Sequence, residues 1–280
     1  MSEPQVPLPD VEQLSDRVIR VLGGNPSKFT LQGTNTYIVG TGAKRLLIDT
    51  GEGKEAWIES LKKALSEHNI TIDTVLISHW HHDHTQGVPD LLVHSPDTKV
   101  HKNNSDGNSD WLSISDGQIF SIEGATLRAF HCPGHTVDHM AFILEEEDAM
   151  FTADNVLGQG TAVFEDLATY MTSLETMEKQ FKGCAYPGHG PVIKDGPGKI
   201  NEYIKHRRQR EQQVLAVLAT EREGGWTSME IVKVIYKDYP ENLWEPAERG
   251  VIQILEKLKG EGKVVKESKG TWSLSGKASL

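Results

Sequence analysis

The sequence is poor in cysteine, in long apolar runs and in positive charge, and each shortage removes a class of protein. Only Cys132 and Cys184 occur among 280 residues, too few for a disulfide framework or a cysteine-rich zinc module, so a reducing compartment is expected. No apolar run approaches the roughly 20 residues that span a bilayer, and no membrane partner is expected. The first twenty residues, MSEPQVPLPDVEQLSDRVIR, set four acids against two arginines. That is neither an apolar signal core nor an Arg-rich, acid-poor transit pattern, so composition by itself points to the cytosol. The formal net charge of −11 repels polyanions at long range. This acidity is uneven: residues 225 to 280 hold nine Lys/Arg against eight Asp/Glu, which leaves −12 on the preceding 224 residues.

What is present fits a globular chain longer than one typical domain of about 100 to 200 residues. Short β-like runs recur at RVIRVLG, NTYIVG, RLLIDTG and TVLISH, and again at QIFSI, TLRAFHC, HMAFILE and AMFTAD. Between RLLIDTG and TVLISH, Trp57, Ile58, Leu61 and Leu65 share one helical face. Mixed order of this kind predicts an α/β sandwich with helices outside two facing sheets over residues 1–199. A helical pattern lies around Ser173 to Phe181, and a long connecting helix is expected from about Ile200 to Arg222, within a linking segment 200–224. Past Gly224-Gly225, Thr227-Ser228 can cap a helix holding Ile231, Val234 and Ile235. A second amphipathic helix follows with Val251, Ile252, Leu255 and Leu258, and KVVKE and TWSLS flank a turn. Helix, helix and β-hairpin describe a winged-helix module over 225–280.

The chemistry concentrates in SHWHHDH, directly after the apolar run TVLIS. Alternation along an extended loop would turn His79 and His81 toward one point and Asp83 and His84 toward a neighbouring one. Imidazole and carboxylate are ligands that zinc accepts, and histidine-rich sets without cysteine are usually catalytic. Three later positions each end a β-like run: His135 in CPGHT, Asp154 in FTADN and His189 in YPGHG. Pro-Gly before a histidine supplies a tight turn that aims the ring over a sheet edge. Asp154 can bridge two cations through its two oxygens, and Asp83 can take or relay a proton. His139 is a candidate for contacting a substrate oxyanion. Asp138 and Asn155 are candidates for orienting ligands, Asn35 for reaching the site from a neighbouring loop, and Cys132 for a small buried packing role.

HxHxDH, then PGHT, then an aspartate, then PGHG resembles the metallo-β-lactamase superfamily. The resemblance implies an αββα sandwich with two Zn2+ per chain. His79, His81 and His135 would hold one, Asp83, His84 and His189 the other, and Asp154 would bridge them.

A longer resemblance, carried by LQGTNTYIVGTG, PGHTVDHM, VFEDLATYMTSL, HRRQREQQ and the C-terminal module, is to the beta-lactamase-like protein 2 family within the glyoxalase II-like branch. It implies a zinc-dependent endoribonuclease that cleaves single-stranded RNA in the mitochondrial matrix, with Lys205, His206, Arg207, Arg208 and Arg210 helping to place the RNA. The alternative is a glyoxalase II-like thioesterase acting on glutathione, coenzyme A or carrier-protein thioesters. A homodimer is a further expectation.

Overall fold

The computed structural model describes residues 5–103, 111–220 and 222–276. One sheet runs in chain order through β1 (Val11–Ser15), β2 (Val18–Leu22), β3 (Asn35–Val39), β4 (Lys44–Ile48), β5 (Thr71–Ile77), β6 (Lys99–Lys102) and β7 (Leu112–Ser113). Its first four strands pair antiparallel; from β4 onward the pairing is parallel. The second sheet has the order β12-β11-β10-β9-β8, from β8 (Ile119–Ile122), β9 (Ala125–His131), β10 (Met140–Leu144), β11 (Ala149–Ala153) and β12 (Ala185–Pro187). Three strands carry no sequence signal: β1 reads VEQLS, β6 reads KVHK and β7 has two residues, so none shows apolar alternation.

Period-two alternation divides the core. Tyr37, Val39, Leu46 and Ile48 meet Leu127, Ala129, Phe142 and Phe151 between the sheets. The intervening Ile38 and Leu47 join Val75 and Ile77 against Trp57, Leu61 and Leu65, which lie on α1 (Glu55–His68). Asn69, at φ 52, closes α1 by donating its N–H to the carbonyls of Leu65 and Ser66. Two short helices follow β5: α2 (His82–Thr85) and α3 (Val88–His94). Next come α4 (Leu167–Met177) and α5 (Gly196–Leu218). The start of α5 lies ahead of the expected one because Asp195 Oδ1 accepts the Gly198 N–H at 2.9 Å and Pro197 fits the first turn.

Residues 1–165 and 169–201 form one compact unit; 166–168 and 202–280 form another. In the second, α6 (Ser228–Ile235) opens with a capping box in which Thr227 and Glu230 satisfy each other's backbone N–H. Helix α7 (Trp244–Gly260) buries Val251, Ile254, Leu255 and Leu258, and β13 (Val264–Lys266) pairs with β14 (Trp272–Leu274). No described helix is long and apolar enough to cross a membrane.

Candidate metal centre

Each sheet delivers its histidines from strand ends. Where β5 stops, Ser78 and His79 are fully buried, and His81 caps the single turn of α2, which carries Asp83 and His84. The segment is therefore helical at Asp83 and His84, in place of the expected extended loop. From the second sheet, His135 sits between β9 and β10, Asp154 follows β11, and His189 follows β12. Both Pro-Gly glycines are dictated by space. At Gly134, φ +133, a Cβ would lie 2.4 Å from Tyr170 Cα; at Gly188 it would lie 2.3 Å from Asp154 Oδ1 and 3.1 Å from His84 Cε1.

Seven side chains converge in two groups: His79, His81 and His135 with Asp154, and Asp83, His84 and His189. His81 Nδ1 is 3.0 Å from both His79 Nε2 and His135 Nε2. Neutral imidazoles cannot all donate into such a point, whereas a cation there is met by three lone pairs. His84 Nε2 and Asp154 Oδ1 are buried without a hydrogen-bond partner. Asp154 reaches both groups, with Oδ1 3.4 Å from His84 Nε2 and Oδ2 3.6 Å from His135 and 3.3 Å from His189. This donor set fits a metal.

The outward ring nitrogens are held by acceptors. His84 Nδ1 lies 2.7 Å from Asp49 Oδ2; His79 Nδ1 lies 2.9 Å from Ser78 Oγ, whose hydroxyl donates to the same Asp49 oxygen at 2.8 Å. His135 Nδ1 is 2.8 Å from the Val163 carbonyl. Such contacts fix the tautomer that leaves the inner nitrogen free to bind a metal. Sequence reading missed Asp49. Its φ of 58 and its position in RLLIDTG do not single it out until β4 and β5 lie side by side.

The two groups differ in charge. Burial, reinforced by His84 and His135, drives His79 far below its ordinary value, and burial with His135 brings His81 to about 4. For His84 burial opposes charge, but Asp154, Asp49 and Asp83 outweigh it and hold the ring well above 6.5. His189, also buried, is raised by Asp154 and Asp83 to about 9. Burial disfavours ionised Asp83 and Asp154 too, yet His84 and His189 overcome it and keep both carboxyls below the usual range.

Other expected residues stand behind the cluster. His139 is fully buried, with Nδ1 3.3 Å from Cys132 Sγ, and it is absent from the cleft wall; its ring lies 5.2 Å from that of His79. Asn155 donates to the Cys132 carbonyl at 2.7 Å. Asn35 serves the His189 turn, donating to the carbonyls of Pro187 and Gly190. Asp138 accepts from Thr136 Oγ1 at 2.7 Å and lies 2.6 Å from Lys102 Nζ, in an ion pair only 2% exposed on either side. His82 points outward and pairs with Glu52 at 3.3 Å. A cleft of about 800 Å3 opens over the cluster. His81, Asp83, His135, Asp154 and His189 form its floor, and Phe29, Trp80 and Val163, all substantially exposed, stand at its walls.

The model of the Metallo-beta-lactamase superfamily matches residues 29–189, and that of the Beta-lactamase associated winged helix domain matches residues 227–272. The chain is 49% identical over 273 residues to an atrochrysone carboxyl ACP thioesterase of Aspergillus chevalieri, covering 94% of this chain and 88% of that protein. It is 48% identical over 271 residues to the lactamase-like protein nscB of Arthroderma gypseum, covering 92% and 86%. A solved beta-lactamase domain protein from Burkholderia ambifaria shares the fold at a TM-score of 0.76 and 17% identity, covering 94% of this chain and 93% of that one.

These comparisons overturn the endoribonuclease expectation and the narrower resemblance behind it, because the near-full-length relatives at this identity whose names state an activity are thioesterases. Single-stranded RNA and the mitochondrial matrix rested on that narrower resemblance and lose its support. The physics agrees. Outside the histidine–aspartate cluster, the cleft wall offers Lys28 and Lys54 beside Glu52, without the cationic track that neutralises successive phosphates. In the expected basic run, Arg210 stacks over Tyr236 at 4.7 Å and donates to Gln213. The family model spans more than half of the sequence and the relatives nearly all of it, so this chain belongs to the metallo-beta-lactamase superfamily.

Proposed function

We propose that this protein is a metal-dependent thioesterase that hydrolyses an acyl thioester carried on an acyl carrier protein, and that it holds two zinc ions. The observation that carries the reading is the near-full-length similarity, at 49% identity, to an atrochrysone carboxyl ACP thioesterase. His79, His81 and His135 would hold one ion, Asp83, His84 and His189 the other, with Asp154 shared. When bound, such a pair polarises a carbonyl and acidifies water near neutral pH.

The chain's own groups do the rest. Asp83 and Asp154 face the cleft, and Asp83, through Oδ2, is the carboxylate placed to accept a proton from the attacking water. Thr34 Oγ1 donates to that oxygen at 3.3 Å and steadies it. Trp80 and Val163 give a large apolar acyl group a dry wall. A thiolate leaves without needing a strong acid.

The test incubates zinc-loaded and chelator-stripped protein with a benzoyl-loaded acyl carrier protein and, in parallel, with single-stranded RNA. Release of benzoate by the loaded protein alone, with intact RNA, is expected. An intact thioester would overturn the reading.

A further inference from the structure

The cleft has a second feature, away from the cluster. Between β2 and β3, residues 25–34 form a tight hairpin closed by the Ser27–Leu31 bridge. Ser27 Oγ accepts the N–H groups of Phe29 at 3.2 Å and Thr30 at 3.1 Å, and Thr30 Oγ1 donates to the Asn25 carbonyl at 2.5 Å. Its base is locked as well. Asn25 accepts the Thr34 N–H at 2.9 Å and donates to Thr34 Oγ1 at 3.0 Å, and Thr34 in turn donates to the metal-facing Asp83. The tip, Lys28-Phe29, is therefore held in fixed register with the reacting end of the cleft.

Both tip residues line the cleft and are exposed, Phe29 to 75%. The neighbouring wall cation, Lys54, is already committed to Glu52 at 3.4 Å, and Glu52 also meets His82. Among the described cleft residues, Lys28 is the lysine with no acidic partner. An apolar ring beside an uncompensated ammonium, at a set distance from a hydrolytic centre in an otherwise acidic unit, suits an amphiphilic arm that ends in an anion.

We propose that Lys28 and Phe29 form the binding site for the phosphopantetheine arm of the thioester, Lys28 taking the phosphodiester and Phe29 lying against the branched apolar segment. The proposal rests on the thioesterase reading. It makes the hairpin a specificity element that selects thioesters presented on a phosphorylated arm, and it leaves hydrolysis itself to the metal cluster.

A pair of substrates isolates the phosphate: benzoyl-4′-phosphopantetheine and benzoyl-pantetheine, with zinc-loaded wild type, Lys28→Ala and Lys28→Glu. Wild type is expected to favour the phosphorylated substrate in kcat/KM by roughly fivefold, the scale of one exposed charge contact, and added salt should shrink that margin. Lys28→Ala should bring the ratio to about one and Lys28→Glu below it, with the unphosphorylated substrate changed less than twofold. Benzoyl-loaded carrier protein should follow the phosphorylated substrate. A ratio unchanged by either substitution, or an equal loss on both substrates, would overturn the arm site while the thioesterase reading stands. Turnover of neither thioester by wild type would instead sink that reading and the arm site with it.

Discussion

The two halves of the histidine cluster share a cleft floor yet sit in opposite electrostatic settings. Around His79 and His81 the neighbours are other imidazoles and apolar wall, so the rings are driven neutral and are ready to bind a metal. Around His84 and His189 stand Asp49, Asp83 and Asp154, which hold the rings protonated until something displaces the proton. One half is a ligand set with no anion of its own beyond Asp154; the other is an ion-paired set in which Asp49, Asp83 and Asp154 surround His84 and His189. A single local motif, HxHxDH, feeds both. The one-turn helix α2 makes the split, turning Asp83 and His84 away from the direction of His79 and His81.

Asp154 is the bridge, so its loss should erase the distinction and give the largest effect. Asp154→Asn keeps the shape, removes the charge shared by the two groups, and should lower thioester turnover by well over the roughly 10–100-fold typical of an outer partner. Circular dichroism should remain that of wild type, and activity within tenfold of wild type would refute the shared role. Asp49→Asn comes next. Asp49 Oδ2 receives both the Ser78 hydroxyl and His84 Nδ1, so one substitution should weaken metal binding in both halves by about 10–100-fold. Zinc titration against a chromophoric chelator reads this out; loss confined to one half would show that Ser78 does not pass the orientation on to His79.

The charge difference itself predicts unequal proton release. Metal binding requires neutral imidazole. His189 titrates at about 9 and His84 is also held well above 6.5 by Asp154, Asp49 and Asp83, so at pH 7 metal entering their half should expel protons, and affinity there should rise with pH through the neutral range. His81 titrates at about 4 and His79 is likewise depressed, so those two rings release none above about pH 5. Calorimetry in buffers of differing ionisation enthalpy should separate two zinc equivalents by their proton counts. Equal counts would break the comparison.

Legibility in the sequence followed the same divide between local and assembled features. Ligand positions show because each follows an apolar run, and all but Asp154 also sit in a Pro-Gly-His or His-x-His-x-Asp-His pattern that survives without the fold. Asp49 and Lys102 are invisible: each acts across strands, and an aspartate after LLI or a lysine in KVHK looks like an ordinary strand end. The sandwich and the C-terminal helices are read from period two and from capping at Thr227, whereas β1, β6 and β7 borrow their structure from neighbours. Substrate was misread for a physical reason. A winged-helix module and the run Lys205 to Arg210 look like nucleic-acid contacts in one dimension, but in the structure Arg210 is spent on Tyr236 and Gln213, and the cleft wall is apolar and sparsely cationic.

The smallest predicted effect tests whether the halves can be disturbed separately. Thr34 touches only the carboxylate-rich half, donating to Asp83 Oδ2 at a long 3.3 Å while it accepts from Asn25. Thr34→Val preserves volume, removes that donor and frees the Asn25 amide. A single long hydrogen bond to a charged acceptor is worth about 1 kcal/mol, so turnover should fall roughly fivefold through kcat. Zinc bound by the His79 half should be unaffected, because no described contact links Thr34 to it. If both equivalents weaken together, the cluster behaves as one cooperative site, and the electrostatic contrast between its halves has no separate energetic consequence.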